Sequence, residues 1–165
     1  MLRFADILSG MTRQLDDPTD KHLASLLVSD GRSTLKHLAE ASGLSVSAVQ
    51  ARVRRLEADG VIRGYFADIE PEALGLPLAA IIAVTPRSPE HEYDIPDRVA
   101  ELPEIESCHS VAGDDSFVLF VRVANPMALE ALIREIRRRA DVSTRTTVVL
   151  QTLFERKARP STVPR

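Results

Sequence analysis

The sequence predicts an α+β chain, an N-terminal winged helix-turn-helix followed by a ferredoxin-like βαββαβ domain. Three observations predict it. Residues 31–63 hold two short helical patterns that meet at a glycine turn. The second of these is amphipathic, with arginines leaving its apolar face. From residue 76 onward, strand-like and helix-like stretches follow in the order β-α-β-β-α-β. The expected organisation is an extension over 1–16, the winged helix-turn-helix over 17–66 and a linker over 67–75. A ferredoxin-like domain over 76–155 and a flexible tail over 156–165 complete it.

The extension has weak helical character and no clear cap. The first firm helix starts at Asp17, a capping residue, with Pro18 at the first helical position and Asp20 in the first turn. Leu23, Leu26 and Leu27 have the spacing of a buried helical face, and Asp30-Gly31 ends the run. Ser33 or Thr34 opens the second helix, which sets Leu35, Leu38 and Ala39 on one side. Gly43 closes it, because glycine accepts the left-handed conformation of a helix C-terminus.

Ser45 caps the third helix. From Val49, Val53 lies about 40° round the axis and Leu56 about 20° the other way, a narrow apolar stripe. Ser47, Gln50, Ala51 and Arg54 fall opposite, with Arg52 and Arg55 on a flank. Small residues permit close approach to a major groove, and Gln and Arg address base edges or phosphate. The expected DNA-binding assignments are Ser47, Gln50 and Arg54 at the groove, Arg52 and Arg55 at phosphates or the flank, and the capping Ser45 beside them. Arg32 and Arg63 touch the backbone from the loop and wing. Arg52 lies nearest the apolar stripe, where a structural pairing competes with a DNA contact. Solvation alone explains many arginine-bearing helices; the short helices, the G-L-S turn and a strand-like Val61–Phe66 favour a winged DNA reader.

In the second region, strand-like Leu76–Val84 leads through a loop with Pro86 and Pro89 to a helix capped by Asp94, with Ile95, Val99 and Leu102 inward. Strands are expected at Ile105–Ala112 and Phe117–Val123, joined by the hairpin composition Gly113-Asp114-Asp115-Ser116. Asn125-Pro126 opens a helix with Leu129, Leu132, Ile133 and Ile136 inward, and Thr/Val-rich Val142–Phe154 reads as a last strand.

Composition bounds the function. The chain has 165 residues, 44% hydrophobic and 27% charged, ordinary for a soluble protein. No apolar run approaches the roughly 20 residues of a membrane span, and no signal peptide is expected. The single cysteine, Cys108, excludes an intramolecular disulfide and fits a cytoplasmic location. Residues 1–66 hold nine Lys/Arg against eight Asp/Glu; the remainder holds twelve against sixteen. So small a basic surplus argues against a nonspecific nucleic-acid coat, and for local placement of charge.

Together the two halves resemble the Lrp/AsnC, or feast/famine, transcription regulators over roughly residues 17–155. The resemblance rests on Asp17-x-x-Asp20 before Leu23, Gly31-Arg32, Leu38-Ala39 and Gly43-Leu44-Ser45. It continues in Arg52-Val53-x-Arg55-Leu56-Glu57-x-x-Gly60-Val61-Ile62 and in Val111-x-Gly113. Asp16 departs from the leucine usual there, after a longer extension. The resemblance implies a homodimer built through the C-terminal sheets, with octameric discs as a further assembly, and an amino-acid effector bound between C-terminal domains. A two-fold dimer doubles the contacts of a small reader and demands a pseudo-palindromic site on double-stranded DNA.

An amino acid needs donors for its carboxylate and an acceptor for its ammonium. Gly113, Asp114 and Asp115 offer both, although Gly-Asp is also ordinary hairpin chemistry; the resemblance assigns this loop to the ligand. His109 and Ser110 are expected to line the pocket, and Thr144 or Thr147 to reach it from a partner chain. No cofactor, metal or membrane is expected: Cys108-His109 has no clustered partners, and Cys108 reads as a small buried hydrophobe. Arg134-x-x-Arg137-Arg138-Arg139 reads as a solvated or paired helix edge. No nucleophilic triad or phosphate loop supports an enzyme. The alternatives are a metabolite-binding regulatory subunit of an amino-acid enzyme and an RNA binder. An aromatic content of 4% speaks against the latter.

Overall fold

The computed structural model describes residues 15–88 and 94–154. The extension before Leu15, the loop at Pro89 and the expected tail over 156–165 lie outside the described residues. The chain divides into two compact units after Asp68, the second spanning Ile69–Leu153.

In the first unit, helices α1 (Pro18–Ser29), α2 (Leu35–Ser42) and α3 (Val46–Ala58) follow one another. Each begins where a short polar side chain satisfies otherwise orphaned amides. Asp17 accepts from the Thr19 amide at 2.7 Å, Thr34 from that of His37 at 3.1 Å, and Ser45 from that of Ala48 at 3.2 Å. Gly43 ends α2 at φ 69°, a conformation that glycine adopts without a side-chain clash. Leu23, Leu38, Ala39, Val49 and Val53 form the core, and Leu26, Leu27, Leu35, Leu44 and Ile62 pack on it.

The strand expected over Val61–Phe66 is not formed. The Val61 and Ile62 amides both bond back to the Leu56 carbonyl at 2.9 and 3.0 Å, closing α3 instead of starting a ladder. Beyond Ile62 the segment pairs with no described strand, and without a ladder partner β propensity produces no strand. Tyr65 donates to Glu57 at 3.0 Å and so lies along α3.

The second unit starts with a 3-10 turn (Pro71–Leu74). Then come β1 (Leu78–Pro86), α4 (Ile95–Val99), β2 (Ile105–Ser110), β3 (Phe117–Val123), α5 (Pro126–Ala140) and β4 (Val142–Val148). The four strands form an antiparallel sheet in the order β2-β3-β1-β4, the arrangement expected of a βαββαβ unit. Ile82 pairs with Leu119 and Thr146, so alternate residues of each strand share a face. Ala80, Ile82, Val84, Leu119, Val121 and Val123 pack with Ile95, Val99, Leu129, Leu132 and Ile136 from the helices. The opposite face carries Ile81, Ala83, Val118 and Phe120, and Phe120 is 42% exposed.

Asn125 caps α5 through the Ala128 amide at 2.9 Å, and Pro126 supplies a first turn that needs no donor. Asn125→Ala is expected to lower stability by about 1 kcal/mol, read from urea unfolding; no change would contradict the cap.

Two elements are shorter than expected, and one does not start as expected. Strand β4 stops at Val148, opposite Ala80 of β1, and not at Phe154; the last bond of the pair runs from the Val149 amide to the Ala79 carbonyl at 3.0 Å. Strand β2 stops at Ser110, where the Val111 amide turns to the Ser116 carbonyl at 3.1 Å. Asp94 does not cap α4: its own backbone is helical, and its carboxylate lies 3.5 Å from Arg98. Leu102 falls beyond the single turn of α4 yet remains buried.

Candidate functional site

The apolar stripe of α3 faces the first core, with Val49, Val53 and Leu56 buried. Consequently Ser47, Ala51 and Arg54 are exposed and Gln50 is half-buried. Ser45 spends its hydroxyl on the helix cap, 3.1 Å from that of Ser47. Among the described residues, Arg54 makes no hydrogen bond or ion pair; Arg32 and Arg63 are exposed with free guanidiniums on the same terms.

Arg52 and Arg55 are placed differently. Arg52 Nη1 lies 2.7 Å from Asp17 Oδ2 and 2.7 Å from Asp20 Oδ1, and Arg55 Nη2 bonds the other oxygen of Asp20. Asp20 is 3% exposed and is the one buried charged residue among those described. The structural pairing that competed with a DNA contact at Arg52 is therefore present, and Arg55 shares it. Sequence reasoning treated Asp17 and Asp20 as helix-start residues and as marks of the resemblance, not as ion-pair partners. A signal was available: Asp20 precedes Leu23 and Leu27 by three and seven positions, so it lies on the buried face of α1 and needs a cation.

The Arg52 guanidinium, then the Thr19 amide, hold the Asp17 carboxyl down from 3.8 to about 2. In α5, Arg138 and then Arg139 lower Glu135 from 4.5 to about 2. Folding thus favours both charged forms. Their stabilisation is complete above the unfolded values and is lost as pH falls from those values towards 2. Thermal melts across this window are expected to show falling Tm. Asp17→Asn, which keeps a capping side chain, should remove part of that fall; an unchanged pH profile in this variant would contradict the pairing.

In the second unit, Gly113 and Asp114 are exposed on the β2–β3 turn. Asp115 is turned inward. Its carboxylate accepts from Thr85 Oγ1 at 3.1 Å and from Arg145 Nη2 at 2.5 Å. Asp114 has no such partner among the described residues. Strand alternation separates the other candidates. His109 pairs with Val118 and Thr147 with Ile81, on the face opposite the helices, where Thr85 and Arg145 also lie. Ser110 pairs with Phe117 and Thr144 with Val84, on the helix side, where Arg137 Nε donates to Thr144 Oγ1 at 2.7 Å. His109 meets Phe120 edge-on, with ring centroids 5.8 Å apart, and its Nε2 lies 3.0 Å from Ser107 Oγ. The structure therefore places His109, Asp115 and Thr147 on one sheet face, with His109 and Thr147 on the opposite edge strands β2 and β4, and does not add Ser110 or Thr144 to that face. Arg145 was missed because its partner is 30 residues away in sequence.

Cys108 is exposed, not the buried hydrophobe expected. It sits on edge strand β2, paired with Leu119, which is fully buried. No group of three or more His, Cys, Asp or Glu able to hold a metal occurs among the described residues. None of the described helices is long and apolar enough to cross a membrane.

Comparison with known proteins bears on both units. A winged helix-turn-helix DNA-binding family matches residues 16–63, and the Lrp/AsnC ligand-binding domain family matches residues 79–159. The regulator LrpA of Mycobacterium tuberculosis is 52% identical over 144 residues, covering 87% of this chain and 95% of its own. This chain belongs to the Lrp/AsnC family of transcriptional regulators. A feast/famine regulatory protein of M. tuberculosis, solved in complex with L-methionine, is 51% identical with a TM-score of 0.83, over 87% of this chain and 99% of that one. A Neisseria meningitidis transcriptional regulator, also in complex with L-methionine, is 26% identical with a TM-score of 0.79, over 89% and 97%. This Lrp-family chain is thus a transcriptional regulator with a DNA-binding helix-turn-helix and a ligand-binding domain, and its relatives are named as regulators, not enzymes.

Proposed function

We propose that this regulator reads a pseudo-palindromic operator as a homodimer, and that a small amino acid alters its assembly or DNA affinity. Ser47, Gln50 and Arg54 address base edges, and Arg32 and Arg63 address phosphates. The observation that carries this reading is the unpaired, exposed Arg54 guanidinium, on the side of α3 opposite the buried stripe. Arg is the residue that reads guanine bidentately in the major groove. A second copy, with octamers as a further assembly, would cover the sheet face that leaves Phe120 exposed. The chain would act in the cytoplasm.

The effector reading draws on the relatives solved with L-methionine. Asp114 has no partner among the described residues, so it is the readier acceptor for an ammonium; Asp115 would have to share its carboxylate with Arg145. His109 would line the pocket from the face that Asp115 occupies, Thr147 would reach it from the second copy, and Gly113 would offer its backbone amide. A thermal-shift screen of the common amino acids, L-methionine included, tests it. A ligand at 100 times its Kd is expected to stabilise by about 2.7 kcal/mol, and absence of any shift would refute the effector site.

A further inference from the structure

We infer that Asp20, assisted by Asp17, is a positioning residue for DNA recognition: it fixes the rotation of α3 through Arg52 and Arg55, which serve as internal struts and not as phosphate contacts. The inference rests on the DNA-binding reading above and adds a division of labour among the arginines of α3.

Charge balance comes first. Two carboxylates from the start of α1 meet two guanidiniums from α3, so neither arginine offers a surplus charge to DNA. Arg52 is bonded to two different carboxylates at 2.7 Å each. A planar guanidinium held at two points fixes direction as well as distance. The apolar contacts of Val49 and Val53 are non-directional and would tolerate a turn of α3 about its axis. Base-edge contacts do not tolerate it, because a functional group must be held within roughly 10–20° of its productive direction. Ser47, Gln50 and Arg54 lie on the face whose direction the struts set.

Competition from phosphate comes second. Drawing Arg52 or Arg55 to DNA would strip a partner from Asp20, whose carboxylate is almost wholly out of water. Exposed Arg54, Arg32 and Arg63 can approach DNA without stranding a buried partner.

The test uses the full-length protein, a duplex it enriches from a randomised pool, and a random-sequence duplex, each titrated across a salt series. Asp20→Asn is nearly isosteric. Its affinity for the enriched duplex is expected to fall by roughly tenfold or more, while that for the random duplex holds or rises as guanidiniums are released. The slope of log K against log salt should steepen, by about 0.9 for each new phosphate contact. With the variant shown to be folded by its thermal melt, a fall of both affinities in parallel, or no fall in either, overturns the inference. Arg55→Gln, on a more exposed side chain, reports even if Asp20→Asn fails to fold. Its salt slope is expected to match that of the unaltered protein; a slope shallower by about 0.9 would make Arg55 a phosphate contact and overturn the inference. If the unaltered protein enriches no duplex at all, the DNA-binding reading itself fails, a result distinct from either of these.

Discussion

Replacing Arg54 with alanine is expected to weaken binding to an enriched operator duplex by about 10- to 100-fold, with Tm unchanged. The size follows from a bidentate arginine–guanine pair, worth roughly 1–3 kcal/mol of discrimination. The unchanged Tm follows because Arg54 is exposed and bonded to none of the described residues. Binding to a random duplex should fall much less, since that term comes from phosphate neutralisation. Gel-shift titration of both duplexes at one salt concentration checks this. Equal affinity of variant and unaltered protein for the operator would remove Arg54 from the interface.

The largest stability effect is expected in the second unit. Ile82 is fully buried in the middle of β1, flanked by Leu119 of β3 and Thr146 of β4, and packs in the cluster that the helices close. Ile82→Ala removes three carbons from a close-packed core and should cost roughly 2–5 kcal/mol, a large share of a domain's usual 5–15 kcal/mol. Urea unfolding at fixed protein concentration gives the value; a loss below about 1 kcal/mol would contradict the packing described. Fixed concentration matters because the stability of the proposed homodimer would rise with concentration.

What was legible in the sequence was mostly local. The caps at Asp17, Ser45 and Asn125 are read from one residue and the few that follow, so helix starts could be placed. The stripe of Val49, Val53 and Leu56 follows from helical period alone, and it fixed which side of α3 faces outward. Features that depend on a distant partner were not legible. Strand β4 ends where its pairing with β1 runs out beyond Ala80 and Ala79, and Val61–Phe66 forms no strand because no described segment pairs with it. Arg55 was expected at phosphate or on the flank; its carboxylate partner lies 35 residues earlier. Cys108 is exposed because it falls on an edge strand, which composition does not reveal. The separation of His109 from Ser110 and of Thr144 from Thr147 was implicit in strand alternation, yet their register needed the sheet.

The arrangement explains how a half with so small a basic surplus could still select DNA. Two arginines of α3 are neutralised internally, leaving, among the described residues proposed to contact DNA, Arg54 with Arg32 and Arg63 as free cations. So few phosphate contacts give weak nonspecific binding, and pairing two copies would multiply the base contacts. The most direct measurement is the affinity ratio of the full-length protein for its enriched duplex over a shuffled duplex, at about 150 mM salt. The account predicts a ratio of about 1,000 or more. A ratio within about threefold would mean that α3 does not read sequence.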